Sequence, residues 1–262
     1  MIDADTPYVQ VSINAGICRI VLDRPERKNA LSLAMYRKLG DAVHSASENS
    51  DVRVILLSGS EGNFTSGNDL GDFAKYKGNL SEEENPTPKF MRALIHCDKP
   101  VVAAVHGPAV GIGTTMLLHC DLVYAGDGAY FQLPFVNLGL CPEFASSVIL
   151  PRLMGHAKAA ELLYLGQRCS AAVAQEAGIV NQVFADDELM ASVQLICEQL
   201  VKQPASALRA TKQLLKKDLR EFAPIVMQNE TEFFRQGLKS PEFAEAVAAF
   251  SEKRAADFSK FS

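Results

Sequence analysis

Short apolar runs that alternate with helix-like stretches restrict the fold of this 262-residue chain more than any other feature of its sequence. Residues 52–57 and 101–105 are nearly continuous runs of Val, Ile, Leu and Ala, each of a length suited to one buried strand. Residues 32–48 begin with a capping Ser and then carry apolar side chains at helical spacing. A third apolar run, at 122–124, follows another helix candidate at 114–119. Strands that alternate with helices in this order predict an α/β core with crossover connections.

A β-hairpin is predicted before this core, and helices are predicted after it. Residues 9–13 alternate between apolar and polar side chains, and an Asn-Ala-Gly turn leads into a second β run at 17–22. After a last short strand at 179–184, helical spacing dominates. The predicted helices there cover 187–202, 205–218, 222–237 and 241–257. We therefore predict an α/β core at residues 1–195 and a helical C-terminal region at 196–262.

Composition and charge exclude several classes of protein. The chain has 26 Lys and Arg residues against 31 Asp and Glu, for a net charge of −5, and the two signs are interspersed. A nucleic-acid-binding protein would usually carry a basic domain or stripe, so we predict no nucleic-acid partner. No run of about 18 apolar residues occurs, so we predict no membrane-spanning segment. Binding of a phosphate by a few cations or backbone N–H groups stays open.

Cysteine usage and the two ends of the chain bear on localisation. The six cysteines include no CxxC pair and mostly lie in apolar stretches, which predicts reduced, buried thiols and no metal site. The first ten residues lack the apolar core of a secretory signal, and the last four, SKFS, are not a peroxisomal SKL-type ending. We expect a cytoplasmic protein that needs no metal and no separate cofactor.

Two loops that follow predicted strands are candidates for binding. The SGND loop, residues 64–70, reads FTSGNDL, which is also compatible with an ordinary polar turn. The glycine-rich loop, residues 106–113, reads HGPAVGIG and lies between a strand and an apolar helix candidate. Such a loop leaves backbone N–H groups free where the helix opens. It lacks both GxGxxG and a lysine-serine pair, so it predicts neither a dinucleotide fold nor a P-loop.

A third segment, residues 133–144, carries a lone carboxylate among apolar residues. Its sequence is LPFVNLGLCPEF, and Glu143 lies at the predicted start of a helix at 144–150. One interpretation is a first-turn glutamate stabilised by the helix dipole, which is a common arrangement. The other is a general base held in an apolar pocket. This segment alone favours neither interpretation.

Together the three segments resemble the crotonase, or enoyl-CoA hydratase/isomerase, family, from about Val9 to Phe258. The resemblance is carried by DRPERKNALS at 23–32, SGNDL at 66–70, HGPAVGIG at 106–113, CDLVYA at 120–125 and FSEKR at 250–254. It implies a crotonase-like spiral of ββα units within the α/β class, with a helical C-terminal part that forms trimers. The ligand it implies is an acyl group carried as a coenzyme-A thioester.

In this family two backbone N–H groups form an oxyanion hole for the thioester carbonyl. The resemblance places them at Asn68, just after Gly67, and at Ile112, between two glycines. Such donors fit the chemistry, because removing a proton beside a thioester carbonyl puts negative charge on its oxygen. The coenzyme-A contacts implied are Lys28, Asn29, Ala30, Ser66, Gly67, Asp69, Leu70, Gly111, Phe250 and Lys253. Lys253 is also compatible with a solvated cation on a helix face.

Two substitutions narrow the expected reaction. Hydratases of this family use two glutamates, and the matching positions here are Thr115 and Phe135, neither of which transfers protons. The single carboxylate at Glu143 instead resembles the Δ3,Δ2-enoyl-CoA isomerase branch, especially its peroxisomal type. That resemblance implies that one glutamate moves a proton from C2 to C4 of a 3-enoyl-CoA. Apolar neighbours would raise the pKa of Glu143, whereas a helix start would lower it.

Other functions stay open at this level. Hydration of unusual acyl groups or thioester hydrolysis on the same fold would share the oxyanion hole. A non-catalytic acyl-CoA binder would need no carboxylate in its pocket. Because members of the family generally form trimers or dimers of trimers, we expect one of these assemblies. An apolar stripe at Phe222, Val226, Phe233 and Phe234 is compatible with assembly and equally with packing on the chain's own core.

Overall fold

The computed structural model describes residues 6–69, 71 and 85–261. Its strands are β1 (Val9–Asn14), β2 (Ile17–Leu22), β3 (Val54–Gly59), β4 (Val101–Val105), β5 (Pro108–Val110), β6 (Leu122–Gly126), β7 (Tyr130–Gln132), β8 (Cys169–Ser170) and β9 (Gln182–Phe184). They form one sheet of order β1-β2-β3-β4-β6-β9 and a smaller one of order β5-β7-β8. In the larger sheet β1 and β2 pair antiparallel and the other neighbours pair in parallel. The predicted α/β core with a leading hairpin is confirmed.

Helices cover this sheet and form the C-terminal part. They are α1 (Leu33–Glu48), α2 (Thr87–His96), α3 (Ile112–Thr115), α4 (Ser146–Met154), α5 (His156–Leu165), α6 (Ala171–Glu176), α7 (Leu189–Lys202), α8 (Ala205–Leu238) and α9 (Pro241–Glu252). Short 3₁₀ turns lie at Pro25–Arg27, Met116–His119 and Val136–Leu138. The start of α1 agrees with the prediction, because the Ser32 hydroxyl accepts a hydrogen bond from the Met35 N–H.

The central strands are buried on both faces. β3 and β4 are buried along nearly their whole length, as expected for parallel strands covered by helices on either side. One face belongs to the main core, and on the other Val54 and Leu56 cluster with Val193 and Cys197 of α7. The predicted boundary at residue 195 falls inside α7, which spans Leu189–Lys202, and the division into a core and a helical region stays a prediction.

The smaller sheet holds the SGND loop and the glycine-rich loop side by side. Thr65 forms an isolated parallel bridge with Ala109 of β5. The Gly111 N–H, directly after β5, donates to the carbonyl of Gln132 at the end of β7 over 2.8 Å. Backbone pairing therefore sets the spacing between the two loops.

The C-terminal region differs from the prediction at two places. The helix predicted at 241–257 ends at Glu252, where Lys253 adopts a left-handed conformation. Residues 205–218 and 222–237 belong to a single 34-residue helix, α8, so the predicted break between them is wrong. Pro224 lies inside this helix and removes a backbone donor, which usually costs about 3 kcal/mol or more. Contacts with the core offset this cost, because Ala223 is fully buried and the Lys212 ammonium donates to a carbonyl and a carboxylate over 2.7 Å.

Two expectations drawn from composition can be compared with the structure. All six cysteines are free thiols and five of them are buried. Within the described ranges, no helix combines the length and the apolar character that a membrane crossing requires.

Candidate active site

The SGND loop presents a backbone donor that has no protein acceptor. Gly67 adopts a φ of +93°, and its N–H donates to the Thr65 hydroxyl over 3.0 Å. The Asp69 N–H donates to the Leu31 carbonyl over 3.0 Å. Between these two bonded amides, the Asn68 N–H meets no acceptor among the described residues. It is therefore available to a ligand oxygen.

The glycine-rich loop presents a second donor of this kind. Gly111 adopts a φ of +56° and uses its own N–H to bond Gln132. The N–H groups of Thr114 and Thr115 both donate hydrogen bonds to the Gly111 carbonyl, over 2.9 and 3.0 Å. Ile112 opens α3, and no residue in the described part of the chain accepts its N–H. A ligand oxygen can bind here as well.

Both donors border one cavity of about 650 Å³, named the loop cavity. Volumes of this size are typical of sites for small ligands. The predicted residues that line it are Ala30, Ser66, Gly67, Asn68, Asp69, Gly111, Ile112 and Phe250. Phe135, at one hydratase glutamate position, lines it too and is only 5% exposed. The fold thus collects residues from four distant parts of the sequence around one space.

Three of the residues predicted to contact coenzyme A, Lys28, Asn29 and Lys253, are not among the described residues that line the loop cavity. The Asn29 side chain is fully buried, where it accepts a backbone N–H and donates to the Asn63 carbonyl over 2.6 Å. It shapes its loop, and its burial excludes the predicted contact of this side chain with a ligand. Lys28 and Lys253 are exposed. Leu70 lies outside the described residues.

Glu143 does not start the helix that follows it. Phe144 and Ala145 form a left-handed turn, with φ of +59° and +58°, and α4 begins at Ser146. The predicted helix start at 144 is therefore wrong. The Glu143 carboxyl accepts a hydrogen bond from the Thr115 hydroxyl. The interpretation of Glu143 as a first-turn glutamate held by the helix dipole is thereby excluded.

The surroundings of Glu143 raise its pKa. The pKa is raised from its usual value of 4.5 to about 8, and burial is the largest cause. The hydrogen bond from Thr115 lowers the pKa, whereas the negative charge of Glu230 raises it. Of the two opposing effects weighed from the sequence, burial therefore prevails. A carboxyl whose pKa lies near neutrality can both accept a proton and return it at physiological pH.

Sequence reasoning missed Glu230, which lies on α8. Its side chain is 6% exposed and accepts hydrogen bonds from the Ala145 N–H over 2.7 Å, the Ser147 N–H over 3.1 Å and the Ser147 hydroxyl. It therefore caps the start of α4. The sequence does contain a signal for this residue. Phe222, Val226, Glu230 and Phe234 follow one another at four-residue intervals on one face of the helix, and Glu230 is the only charged residue among them.

Asn68 links the space around Glu143 to the loop cavity. A second cavity, named the glutamate cavity, is lined by Glu143, Phe144 and Glu230, and Asn68 lines both this cavity and the loop cavity. The Tyr36 hydroxyl donates to Asn68 Oδ1 over 2.5 Å and so holds that side chain. An oxygen bound by the Asn68 N–H would lie at the junction of the two cavities. The arrangement suits removal of a proton beside a carbonyl whose oxygen is held by N–H donors.

Comparison with known proteins identifies the family and the fold of the chain. The profile of the family described as enoyl-CoA hydratase/isomerase matches residues 12–260. The crystal structure of an enoyl-CoA hydratase/isomerase from Pseudoalteromonas atlantica T6c is 39% identical and superposes with a TM-score of 0.90. The match covers 96% of this chain and 99% of that one. The two chains therefore share one fold, which confirms the predicted crotonase-like architecture.

Curated relatives include both isomerases and hydratases. Enoyl-CoA delta isomerase 2 of Rattus norvegicus is 35% identical over 246 residues, which cover 92% of this chain. The chain spans 63% of the length of that relative. A probable enoyl-CoA hydratase of Rhodobacter capsulatus is 33% identical over 254 residues, which cover 95% of this chain and 97% of that protein. The two activities are thus represented at similar identity, and the choice between them depends on the site residues.

Proposed function

This chain belongs to the enoyl-CoA hydratase/isomerase family and is an enzyme of the crotonase superfamily, and from that premise we propose that it is a Δ3,Δ2-enoyl-CoA isomerase. One observation carries the proposal: the Glu143 carboxyl accepts a hydrogen bond from the hydroxyl of Thr115. Thr115 occupies the position that matches the first glutamate of a hydratase. The second hydratase position is Phe135, which transfers no proton. Hydration needs groups that hold and activate a water, whereas a double-bond shift needs one base.

In the proposed reaction, ionised Glu143 removes a proton from C2 of a 3-enoyl-CoA. The electron pair spreads over C2 to C4 and the thioester carbonyl, and the Asn68 and Ile112 N–H groups bind the resulting dienolate oxygen. Each such donor contributes about 3 kcal/mol in comparable sites. Protonated Glu143 then returns the proton to C4, which leaves the conjugated 2-enoyl thioester. Phe135 and Phe144, both buried, limit the access of water that would exchange the proton.

The proposal predicts isomerisation in preference to hydration. The purified protein should convert a 3-enoyl-CoA into its 2-enoyl isomer with kcat on the order of 1 to 10³ s⁻¹. It should hydrate crotonyl-CoA at least about 100-fold more slowly, because the hydratase acids are absent. Absorbance of the conjugated thioester measures the first reaction, and mass spectrometry of the added water measures the second. Fast hydration with little isomerisation would favour a hydratase, and binding without turnover would favour a non-catalytic acyl-CoA binder.

Replacing Thr115 by valine should raise the pKa of Glu143 still further, because the hydrogen bond that favours its ionised form is lost. The ionised base is the active form, so activity rises with pH and the acidic limb of the kcat profile should move to higher pH. At pH 7, kcat should fall about 10- to 100-fold, since a hydrogen bond to a charged group is worth roughly 1.5–3 kcal/mol. Thr115→Ser keeps the hydroxyl and is the matched control. Identical acidic limbs in the two variants would contradict the prediction.

We further propose an acyl-CoA substrate of fatty-acid β-oxidation, a cytoplasmic location and a homotrimer or dimer of trimers. The assembly proposal is supported by large apolar side chains that α8 leaves exposed. Leu214, Leu215 and Ile225 are 77%, 79% and 65% exposed. Exposed apolar side chains that form a contiguous patch are typical of protein–protein contacts, and the proposal expects these three to lie in the contact between subunits.

A further inference from the structure

We infer that Glu230 is a positioning residue for Glu143: it holds the left-handed turn that follows the base and places a second negative charge beside it. The inference rests on the proposed function, since it concerns the base of that reaction. It assigns a role to a buried carboxyl that the proposed proton transfer does not use. It also explains why one buried carboxyl is found on α8, in a row of otherwise apolar side chains.

The turn after Glu143 is held from two sides. The Phe144 ring stacks on the His119 ring with centroids 3.9 Å apart, and His119 Nε2 donates to the Phe144 carbonyl over 2.7 Å. On the other side, the Ala145 N–H donates to Glu230 Oε2 over 2.7 Å. Two successive non-glycine residues with positive φ are unfavourable and persist where surrounding contacts hold them. His119 and Glu230 supply those contacts, so the direction of the Glu143 side chain depends on both.

Glu230 also acts on Glu143 through its charge. Both side chains line the glutamate cavity. Burial raises the pKa of Glu230, whereas the donors at Ser147 and Ala145 lower it by favouring the ionised form. The charge of Glu230 in turn raises the pKa of Glu143, since two carboxylates repel each other. Removing that charge should therefore lower the pKa of Glu143.

The other titratable groups around the pair keep one charge state across the working pH range. Burial raises the pKa of Tyr36, on α1, well above its usual value, and raises that of Cys141 to about 11. Burial lowers the pKa of His119 to about 3, so its ring is neutral. Arg235, on α8, also lines the glutamate cavity. A change in the titration of Glu143 that follows replacement of Glu230 therefore reports the charge of Glu230.

Glu230→Gln tests both parts of the inference. The variant keeps the size of the side chain, removes its charge and replaces one acceptor oxygen by an amide group. The high-pH plateau of kcat on a 3-enoyl-CoA should fall about 10- to 100-fold, because a small misplacement of the base has a large effect. KM should change by less than about threefold, because the thioester contacts are unaltered. The acidic limb should move to lower pH, opposite to the shift expected for Thr115→Val.

The matched control is Glu232→Gln, on the exposed side of the same helix, which should leave both kcat and the acidic limb unchanged. A variant that only unfolds more easily would lose active protein without moving the acidic limb. Ser147→Ala covers the case in which Glu230→Gln does not fold. It removes one donor to Glu230, so the pKa of Glu230 rises, its mean charge falls, and the acidic limb should move in the same direction by a smaller amount.

A measurement that is independent of turnover separates this inference from the proposed function. The ¹³C NMR titration of the Glu143 carboxyl, assigned by its loss in Glu143→Gln, measures the pKa directly in each variant. A lower pKa in Glu230→Gln supports the inference. An unchanged titration in both Glu230→Gln and Ser147→Ala overturns it. Failure of the proposed function would appear instead as wild-type protein that does not isomerise a 3-enoyl-CoA.

Discussion

Replacing Glu143 by glutamine is expected to lower kcat for isomerisation of a 3-enoyl-CoA by about 10²- to 10⁴-fold. The amide has nearly the size of the carboxyl and can still accept the hydrogen bond of Thr115, but it cannot take a proton from carbon. KM should change by less than about threefold, because the proposed donors at Asn68 and Ile112 are unaltered in the variant. Absorbance of the conjugated product at saturating substrate measures this loss.

The control for this variant is Glu161→Gln, which makes the same change on the exposed surface of α5. It should retain the activity of the wild type. Calorimetric titration with the 2-enoyl-CoA product shows whether the Glu143→Gln site still binds its ligand. Near-normal turnover by Glu143→Gln would contradict the assignment of the base. Glu230, which also lines the glutamate cavity, would then be the next carboxyl to replace.

Replacing Gly67 by alanine should lower kcat/KM by about 10²- to 10³-fold, the loss typical of one oxyanion-hole donor. A Cβ added at Gly67 would lie 2.7 Å from the carbonyl oxygen of Val110, a contact that neither backbone can accommodate in place. The SGND loop and the glycine-rich loop would therefore move apart, and with them the Asn68 and Ile112 N–H groups. The activity assay should be paired with circular dichroism and thermal melting to count folded protein.

Gly62→Ala separates this displacement from backbone strain. Gly62 also has a positive φ, +69°, so alanine there has a similar conformational cost. A Cβ at Gly62 meets no atom within 4 Å, so the loops stay in place. We expect Gly62→Ala to lose some thermal stability and to keep kcat/KM within about threefold of the wild type. Equal losses of activity in the two variants would show that strain, and not the position of the donors, is responsible.

The fold follows from local patterns where those patterns are unambiguous. The predicted and observed bounds of β4 coincide at Val101–Val105, because the run is apolar throughout and a His-Gly turn ends it. Tertiary packing decides the outcome at α8. The break predicted at residues 219–221 does not occur, and the helix continues through Pro224, since the burial of Ala223 and the contacts of Lys212 stabilise it on either side.

Less of the candidate site than of the fold could be predicted from the sequence. Local patterns mark Gly67 and Gly111 as unusual, but which amides lack acceptors depends on pairing between segments far apart in the chain. The resemblance supplied the positions of the donors and of the base. From the sequence alone, a polar residue such as Asn29 is equally compatible with a hydrogen bond to the backbone and with a contact to a ligand. Its burial in the folded protein distinguishes these two roles. Glu230 follows Glu143 by 87 positions, so their proximity is a product of folding.

Because the pKa of Glu143 is raised, its contribution to stability falls with increasing pH while its activity as a base rises. A carboxyl whose pKa is about 8 when folded and 4.5 when unfolded binds its proton more tightly in the folded protein. Its contribution to the free energy of unfolding is therefore fully present below pH 4.5 and is lost as the pH rises through about 8. Over the same interval the ionised base accumulates and the rate of proton transfer rises. Glu143 therefore favours the folded state most where its carboxyl is protonated and inactive, a compromise common in sites built for function.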